Sequence, residues 1–85
     1  MEEKVYERGS FILQQGAITK EFFVLWKGEI DVFVTDGERR YFFDKLNEGS
    51  CFCVYQAFKA DTSLLFDFQV ATSRAYVFAI NVDIL

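Results

Sequence analysis

The sequence has no histidine and no proline, only two cysteines, and no run of eighteen or more apolar residues. Each gap removes a class of function. Without His, the commonest general base and the commonest metal ligand are both gone. Without a long apolar run, no helix here is expected to span a membrane. Positive charge is also scarce: 9 Lys and Arg against 13 Asp and Glu leave a net charge of −4 and a pI near 4.6. A nucleic-acid surface needs clustered Lys and Arg to neutralise phosphates. The only adjacent basic pair, Arg39-Arg40, stands beside Asp36 and Glu38 and reads as a solvated hairpin. No nucleic-acid partner is expected. The first ten residues carry Glu2, Glu3, Lys4, Glu7 and Arg8, which is not a secretory signal.

The two cysteines, Cys51 and Cys53, are two residues apart and would share a face in an extended segment. Two thiols do not complete a four-ligand zinc site, and bridging so short a loop would be strained. They read as reduced, half-buried thiols of a cytosolic protein. No metal site and no catalytic residue is expected. The carboxylates Asp31, Asp36, Asp44 and Asp67 are scattered at strand and turn positions, where solvated charge explains them.

What the chain has in abundance is apolar bulk. Of its 85 residues 52% are hydrophobic and 11 are Phe, a high load for a length that suits one domain and not two. Part of that surface is therefore expected to be covered by flanking helices or a neighbouring subunit. The five glycines, at 9, 16, 28, 37 and 49, punctuate the first fifty residues at intervals of seven to twelve. Short strands with turns at that spacing indicate a sandwich or barrel.

Between the glycines the strand signal is clear. Phe11-Ile12-Leu13 is a short apolar run, and Phe22 to Trp26 is apolar throughout, as in a strand covered on both faces. Ile30, Val32 and Val34 alternate with Asp31, Phe33 and Thr35. Asp36-Gly37 signals a hairpin, with Arg40 to Leu46 as the return strand. Asn47-Glu48-Gly49-Ser50 is a further turn. Between Cys51 and Ala60 strand character fails, and Gln56, Ala57, Lys59 and Ala60 suit a short helix.

From Phe66 to Ile80 the bulky residues Phe66, Phe68, Val70, Tyr76, Phe78 and Ile80 share one parity. The small ones, Gln69, Ala71, Ser73 and Ala75, share the other. A small stripe can leave room for a ligand or let two sheets pack closely, and a bend near Ser73 would break the parity. Asn81 can cap a helix beginning at Val82-Asp83-Ile84-Leu85, so the chain is expected to end inside an element, as a fragment of a larger protein.

Four segments in order resemble the cyclic nucleotide-binding domain family. Gly9 to Gly16 (GSFILQQG) is similar to its opening hairpin. Phe23 to Val32 (FVLWKGEIDV) is similar to "Y-I-I-x-x-G-x-v-x-V", and Leu46 to Phe52 (LNEGSCF) to "L-x-x-G-d-x-F". Val70 to Ala75 (VATSRA) is similar to "x-A-T-V-R-A". The resemblance covers nearly the whole chain as a single domain, residues 1–85. It implies a mainly β fold, a double-stranded β-helix of jelly-roll type, with a short helix in the phosphate cassette and a truncated C-terminal helix. In that family the cyclic phosphate meets backbone N–H groups at a helix start and one arginine, and a glutamate takes the ribose hydroxyl.

The resemblance places a vestigial ligand pocket at Gly49, Phe52, Cys53, Val54, Tyr55, Gln69, Val70, Ala71 and Thr72. It also exposes departures. The family's "F-G-E" is here Phe52-Cys53-Val54, so the flexible glycine is a cysteine and the ribose-binding glutamate a valine. The arginine of "R-x-A-T" falls on Gln69, and the intervening segment is a few residues longer. Hydrogen bonds to charged groups contribute roughly 1.5–3 kcal/mol each. Losing two would weaken binding about a hundredfold to several thousandfold. Arg74, Lys59 and Lys45 are the conceivable substitute cations.

The expected function is thus a regulatory module with nucleotide binding weakened or lost, of the type found in cytoplasmic tails of cation channels. No cofactor is expected, with cAMP or cGMP as ligand only if the pocket still works. Its partners would be intramolecular helices or neighbouring subunits of a larger, membrane-embedded protein, with no direct membrane insertion by this segment. The alternatives are a cAMP or cGMP sensor using altered contacts and an unrelated jelly-roll interaction domain. A metal cupin, which needs clustered His, is excluded.

Overall fold

The computed structural model describes residues 1–84. Eight strands form two four-stranded antiparallel sheets that enclose one core. They are β1 (Glu2–Glu7), β2 (Phe11–Leu13), β3 (Glu21–Lys27), β4 (Ile30–Asp36), β5 (Arg39–Leu46), β6 (Cys51–Phe52), β7 (Asp67–Val70) and β8 (Arg74–Asn81). A single helix, α1 (Val54–Phe58), follows β6, and a 3-10 turn at Val82–Ile84 follows β8. The first sheet has the order β1-β8-β3-β6 and the second β2-β7-β4-β5. Apart from the β4–β5 hairpin, sequence neighbours alternate between sheets, the jelly-roll arrangement that the resemblance implies and one form of the sandwich or barrel that the glycine spacing indicates.

The period-two pattern decides which face each strand buries. Phe23 and Leu25 on β3, Ile30 and Val32 on β4, and Phe68 and Val70 on β7 all enter the core. On β3 the apolar run is not covered equally on both faces. Phe22, Val24 and Trp26 point outward. Phe22 stacks on Phe58 of α1 at 5.8 Å, and Trp26 stacks on Phe78 of β8 at 5.8 Å while remaining 41% exposed.

The parity from Phe66 to Ile80 does break in the Ala71-Thr72-Ser73 turn. Phe68 and Val70 face inward, but beyond the turn it is Ala75, Val77 and Ala79 that are buried, while Tyr76, Phe78 and Ile80 lie on the outer face. The small residues of β8 therefore let the sheets pack closely. They do not line a ligand space.

The turns follow from backbone demands. Asp36 pairs with Arg39, so the β4–β5 loop is the two residues Gly37-Glu38, one position later than Asp36-Gly37 suggests. Only Gly37 has positive φ there, which suits a turn with glycine first. Gly28 is the most constrained: with φ at +99°, a Cβ would stand 2.5 Å from the carbonyl oxygen of Arg74. At the chain's far end the Asp83 N–H donates to Asn81 Oδ1 at 2.8 Å, the cap expected of that residue. Leu85, the last residue of that expected helix start, lies outside the described residues. Among the described residues no helix is long and apolar enough to cross a membrane.

Candidate functional site

The head of α1 is where the fold concentrates the expected pocket residues. Strand β6 runs beside β3, with Phe23 opposite Phe52 and Val24 opposite Cys51. Gly49, with φ at +95°, lets the preceding turn close, with the Ser50 N–H donating to the Asn47 carbonyl at 3.1 Å. The Gly49 N–H donates to the Leu25 carbonyl at 2.7 Å, which docks this turn against β3.

Phe52 is buried between two rings, Phe23 at 5.2 Å and Phe68 at 5.1 Å, and this stack joins the two sheets across the core. Cys53 then turns the chain into the helix through the left-handed region, at φ 66°. That conformation is normally left to glycine, because a Cβ costs about 1–2 kcal/mol there. Cys53 thus holds a backbone conformation suited to glycine.

The turn also separates the two cysteines. Cys51 is exposed and Cys53 is buried, so they do not share a face as an extended segment would require. Burial pushes the Cys53 thiol up to about 12. That is the opposite of an activated nucleophile, which needs a depressed pKa and a nearby cation.

Val54 and Tyr55 begin α1 and are exposed, and the first turn of the helix carries no acidic residue. Phe66 packs against the core and meets Phe43 of β5 at 4.6 Å. The side chains at the head of α1 are therefore a thiol, an isopropyl group and a phenol. Neither a carboxylate nor a guanidinium is among them.

The other four expected residues lie elsewhere. Gln69 sits between the core residues Phe68 and Val70, so it points to the opposite, outward face of β7. There its Nε2 donates to the Gly9 carbonyl at 2.9 Å, and its Oε1 accepts from Arg40 at 2.8 Å. Val70 is a core residue whose N–H donates to the Ser10 carbonyl. The Ala71 N–H donates to the Glu29 carbonyl at 3.0 Å. Thr72 Oγ1 accepts from the Glu29 N–H at 3.1 Å and donates to the Arg74 carbonyl at 2.8 Å. Phe52 to Tyr55 therefore form one group, and Gln69 to Thr72 do not join them around a common cavity.

Of the basic residues weighed as substitutes, Lys45 and Arg74 are engaged away from α1's start. Lys45 donates to Asp31 at 2.8 Å, the bond that raises its pKa. Lys59 follows the far end of the helix, but its ammonium reaches back to 5.6 Å from the Tyr55 ring. Arg74 sits opposite Glu7 in the β1–β8 ladder.

The residue that sequence reasoning passes over is Arg40. Its guanidinium lies 3.7 Å from the Phe33 ring centre and 5.4 Å from Phe11, and its Nε is 4.0 Å from Asp67 Oδ2. Counting strand positions back from the hairpin would find it: Arg40 pairs with Thr35, on the same outward face as Phe33 and Gln69.

Two clefts accompany these elements. One of about 360 Å³ is lined by Gly28, Glu29, Asn47, Glu48 and Thr72, with two carboxylates that disfavour an anion. The other, of about 260 Å³, lies between α1 and the 3-10 turn and includes Ile18, Phe58, Lys59 and Val82. Neither includes Cys53, Val54, Tyr55 or Gln69.

The fold is thus a two-sheet β-roll in which a strand–turn–helix element, β6 to α1, leads into β7. The chain belongs to the cyclic nucleotide-binding domain family, which matches residues 3–84. Among solved structures it is similar to the N-terminal domain of a transcriptional regulator from Streptomyces coelicolor A3(2), with a TM-score of 0.89 at 16% identity over 100% of this chain and 60% of that one. It is similar also to the catabolite activator protein of Thermus thermophilus, with a TM-score of 0.84 at 16% identity, covering 96% of this chain and 38% of that one. A third is that of cAMP-bound PfPKA-R, with a TM-score of 0.82 at 16% identity, covering 93% of this chain and 28% of that one. At these identities the likeness establishes the fold. The chain spans less than two thirds of each of these proteins. No curated protein matches it.

Proposed function

We propose that the chain is a regulatory cyclic nucleotide-binding-like module whose hold on nucleotide is weakened or lost. The observation that carries this reading is the head of α1. There Cys53-Val54-Tyr55 follow the Phe23–Phe52–Phe68 ring stack, and no carboxylate or guanidinium stands among them. A ribose hydroxyl entering there would trade water for an apolar wall, which costs free energy unless a partner accepts its hydrogen bond.

The proposed role is regulatory binding or mechanical coupling. The parent we propose is a cation channel or transporter, with the module on the cytosolic side of the membrane against flanking helices or a neighbouring subunit. The part-exposed Trp26 and the exposed Phe58 on the outer side of β3 and α1 support a covered surface there. Family membership favours a second reading, a working cAMP or cGMP sensor with altered contacts.

Isothermal titration with each nucleotide separates the two. The first reading expects no saturable heat up to about 1 mM ligand, a binding free energy weaker than about −4 kcal/mol. A dissociation constant in the micromolar range for either nucleotide would establish the second.

A further inference from the structure

The two sheets end on strands of opposite charge. Strand β1 is an edge of the first sheet and β5 an edge of the second. β1 reads Glu2-Glu3-Lys4-Val5-Tyr6-Glu7, three carboxylates against one ammonium, a net −2. β5 reads Arg39-Arg40-Tyr41-Phe42-Phe43-Asp44-Lys45-Leu46, three cations against one carboxylate, a net +2. Both are long for edges, at 6 and 8 residues, and each offers one unpaired row of backbone N–H and C=O groups. They also leave apolar side chains in water: Val5 is 51% exposed, Phe42 58% and Phe43 61%.

We infer that β5 is a strand-addition edge whose occupant is β1 of a second copy of this chain. One antiparallel register matches faces from the hairpin end of β5 as far as Phe42. It sets Glu7 against Arg40, Tyr6 against Tyr41 and Val5 against Phe42, while Glu2 and Lys45, beyond the β5 irregularity, lie on opposite faces. Val5 and Phe42 both lie on outward faces, and Tyr6 and Tyr41 both lie on the core side, as their in-sheet partners Tyr76, Phe33, Ala75 and Val34 require. The one like-charged meeting, Glu3 with Asp44, falls at the β5 irregularity between the pairs Val32–Asp44 and Phe33–Phe42, where Asp44 has crossed to the other face.

β1 joins β2 through residues 8–10 and β5 joins β6 through residues 47–50, so the two edges lie at opposite sides of the roll and two copies cannot make both contacts at once. The contact is head-to-tail, and it propagates or closes a larger ring.

Sedimentation velocity of the whole chain over a range of concentrations tests this. The mass is expected to rise past two copies with concentration and to fall at 1 M salt, where screening reaches about 3 Å. The pair Glu2→Lys with Glu7→Lys should weaken association about tenfold or more, as should Phe42→Lys. These exposed substitutions are checked for folding by circular dichroism. Mixing the β1 variant with the β5 variant should restore association but end at two copies, since each retains one good edge. Leu65→Lys, at an exposed apolar residue outside both edge strands, should change nothing. A single-copy mass at all concentrations, a limit at two copies for the unaltered chain, or dissolution by Leu65→Lys would each overturn the inference.

Discussion

The Arg40 guanidinium donates to Gln69 Oε1 at 2.8 Å while lying over the Phe33 ring, so the residue aligned with the family's phosphate arginine is an acceptor on the outside of the roll. The pair ties β5 to β7, and Gln69 continues the tie to the Gly9 carbonyl. Its role is structural. Arg40→Ala is expected to lower unfolding stability by about 1–2 kcal/mol, from an exposed cation–π contact and a charge-assisted hydrogen bond. In urea titrations, Arg40→Ala and Gln69→Ala should show a coupling of about 0.5–1 kcal/mol. Strict additivity would deny the tie.

Glycines with similar φ angles should differ sharply in tolerance. Gly16 has φ at +91° and open space where an added methyl would stand, so Gly16→Ala should cost about 1–2 kcal/mol from backbone conformation alone. Gly28 has φ at +99° and would drive its Cβ to 2.5 Å from Arg74 O and 2.9 Å from Thr72 Oγ1. Gly28→Ala should therefore cost about 3 kcal/mol or more, because these atoms belong to a hydrogen-bonded backbone crossing that cannot move freely. Thermal melts of the two variants give the comparison, and equal losses would contradict it.

How far the sequence carries can be judged from particular residues. Glycine spacing and the period-two runs suffice for a sandwich or barrel, since strand parity and turn chemistry are local, and the four-segment resemblance supplies the jelly roll. The Ala71-Thr72-Ser73 turn is legible as a break, but which side is buried beyond it is not determined by pattern. Ala75 and Ala79 are small, and small residues serve a ligand space and close sheet packing equally well. Gln69 illustrates a different limit. A motif match fixes a position along the chain, and a shift of one residue in a strand sends the side chain to the other face. Arg40 escapes notice because a basic residue near a hairpin is usually solvated, and only the β4–β5 register reveals that Phe33 and Gln69 wait for it. The Cys51–Cys53 pair looks co-facial because the left-handed turn at Cys53 has no signature in a non-glycine residue.

Burial of Cys53 makes stability depend on pH in the alkaline range. Its thiol is raised from 9.0 to about 12, so the native state keeps a proton that the unfolded chain gives up first. The contribution is complete below pH 9. Above it the unfolded state binds fewer protons, and stability falls by at most about 1.4 kcal/mol per pH unit until the native thiol also ionises. Other groups titrate in this range, so the measurement is a difference. The unfolding free energy of Cys53→Ala, followed from pH 8 to 10.5 (about the practical limit), should lack the part of the slope seen in the unaltered chain. Parallel curves would mean that the thiol is accessible to base in the fold.

The geometry of β7 also says which substitution would not rebuild a nucleotide grip. Aligning motifs points to Gln69→Arg together with Val54→Glu. Gln69 stands between the core residues Phe68 and Val70 and is directed outward, so that double variant should still show no saturable heat with cAMP or cGMP. Two charge-assisted contacts of roughly 1.5–3 kcal/mol each would strengthen binding by about a hundredfold or more if both groups faced one pocket. Circular dichroism and a urea titration confirm that the double variant is folded before calorimetry. Saturable binding by it would mean that the outward orientation of Gln69 is wrong, and the reading of the head of α1 as an emptied site would change with it.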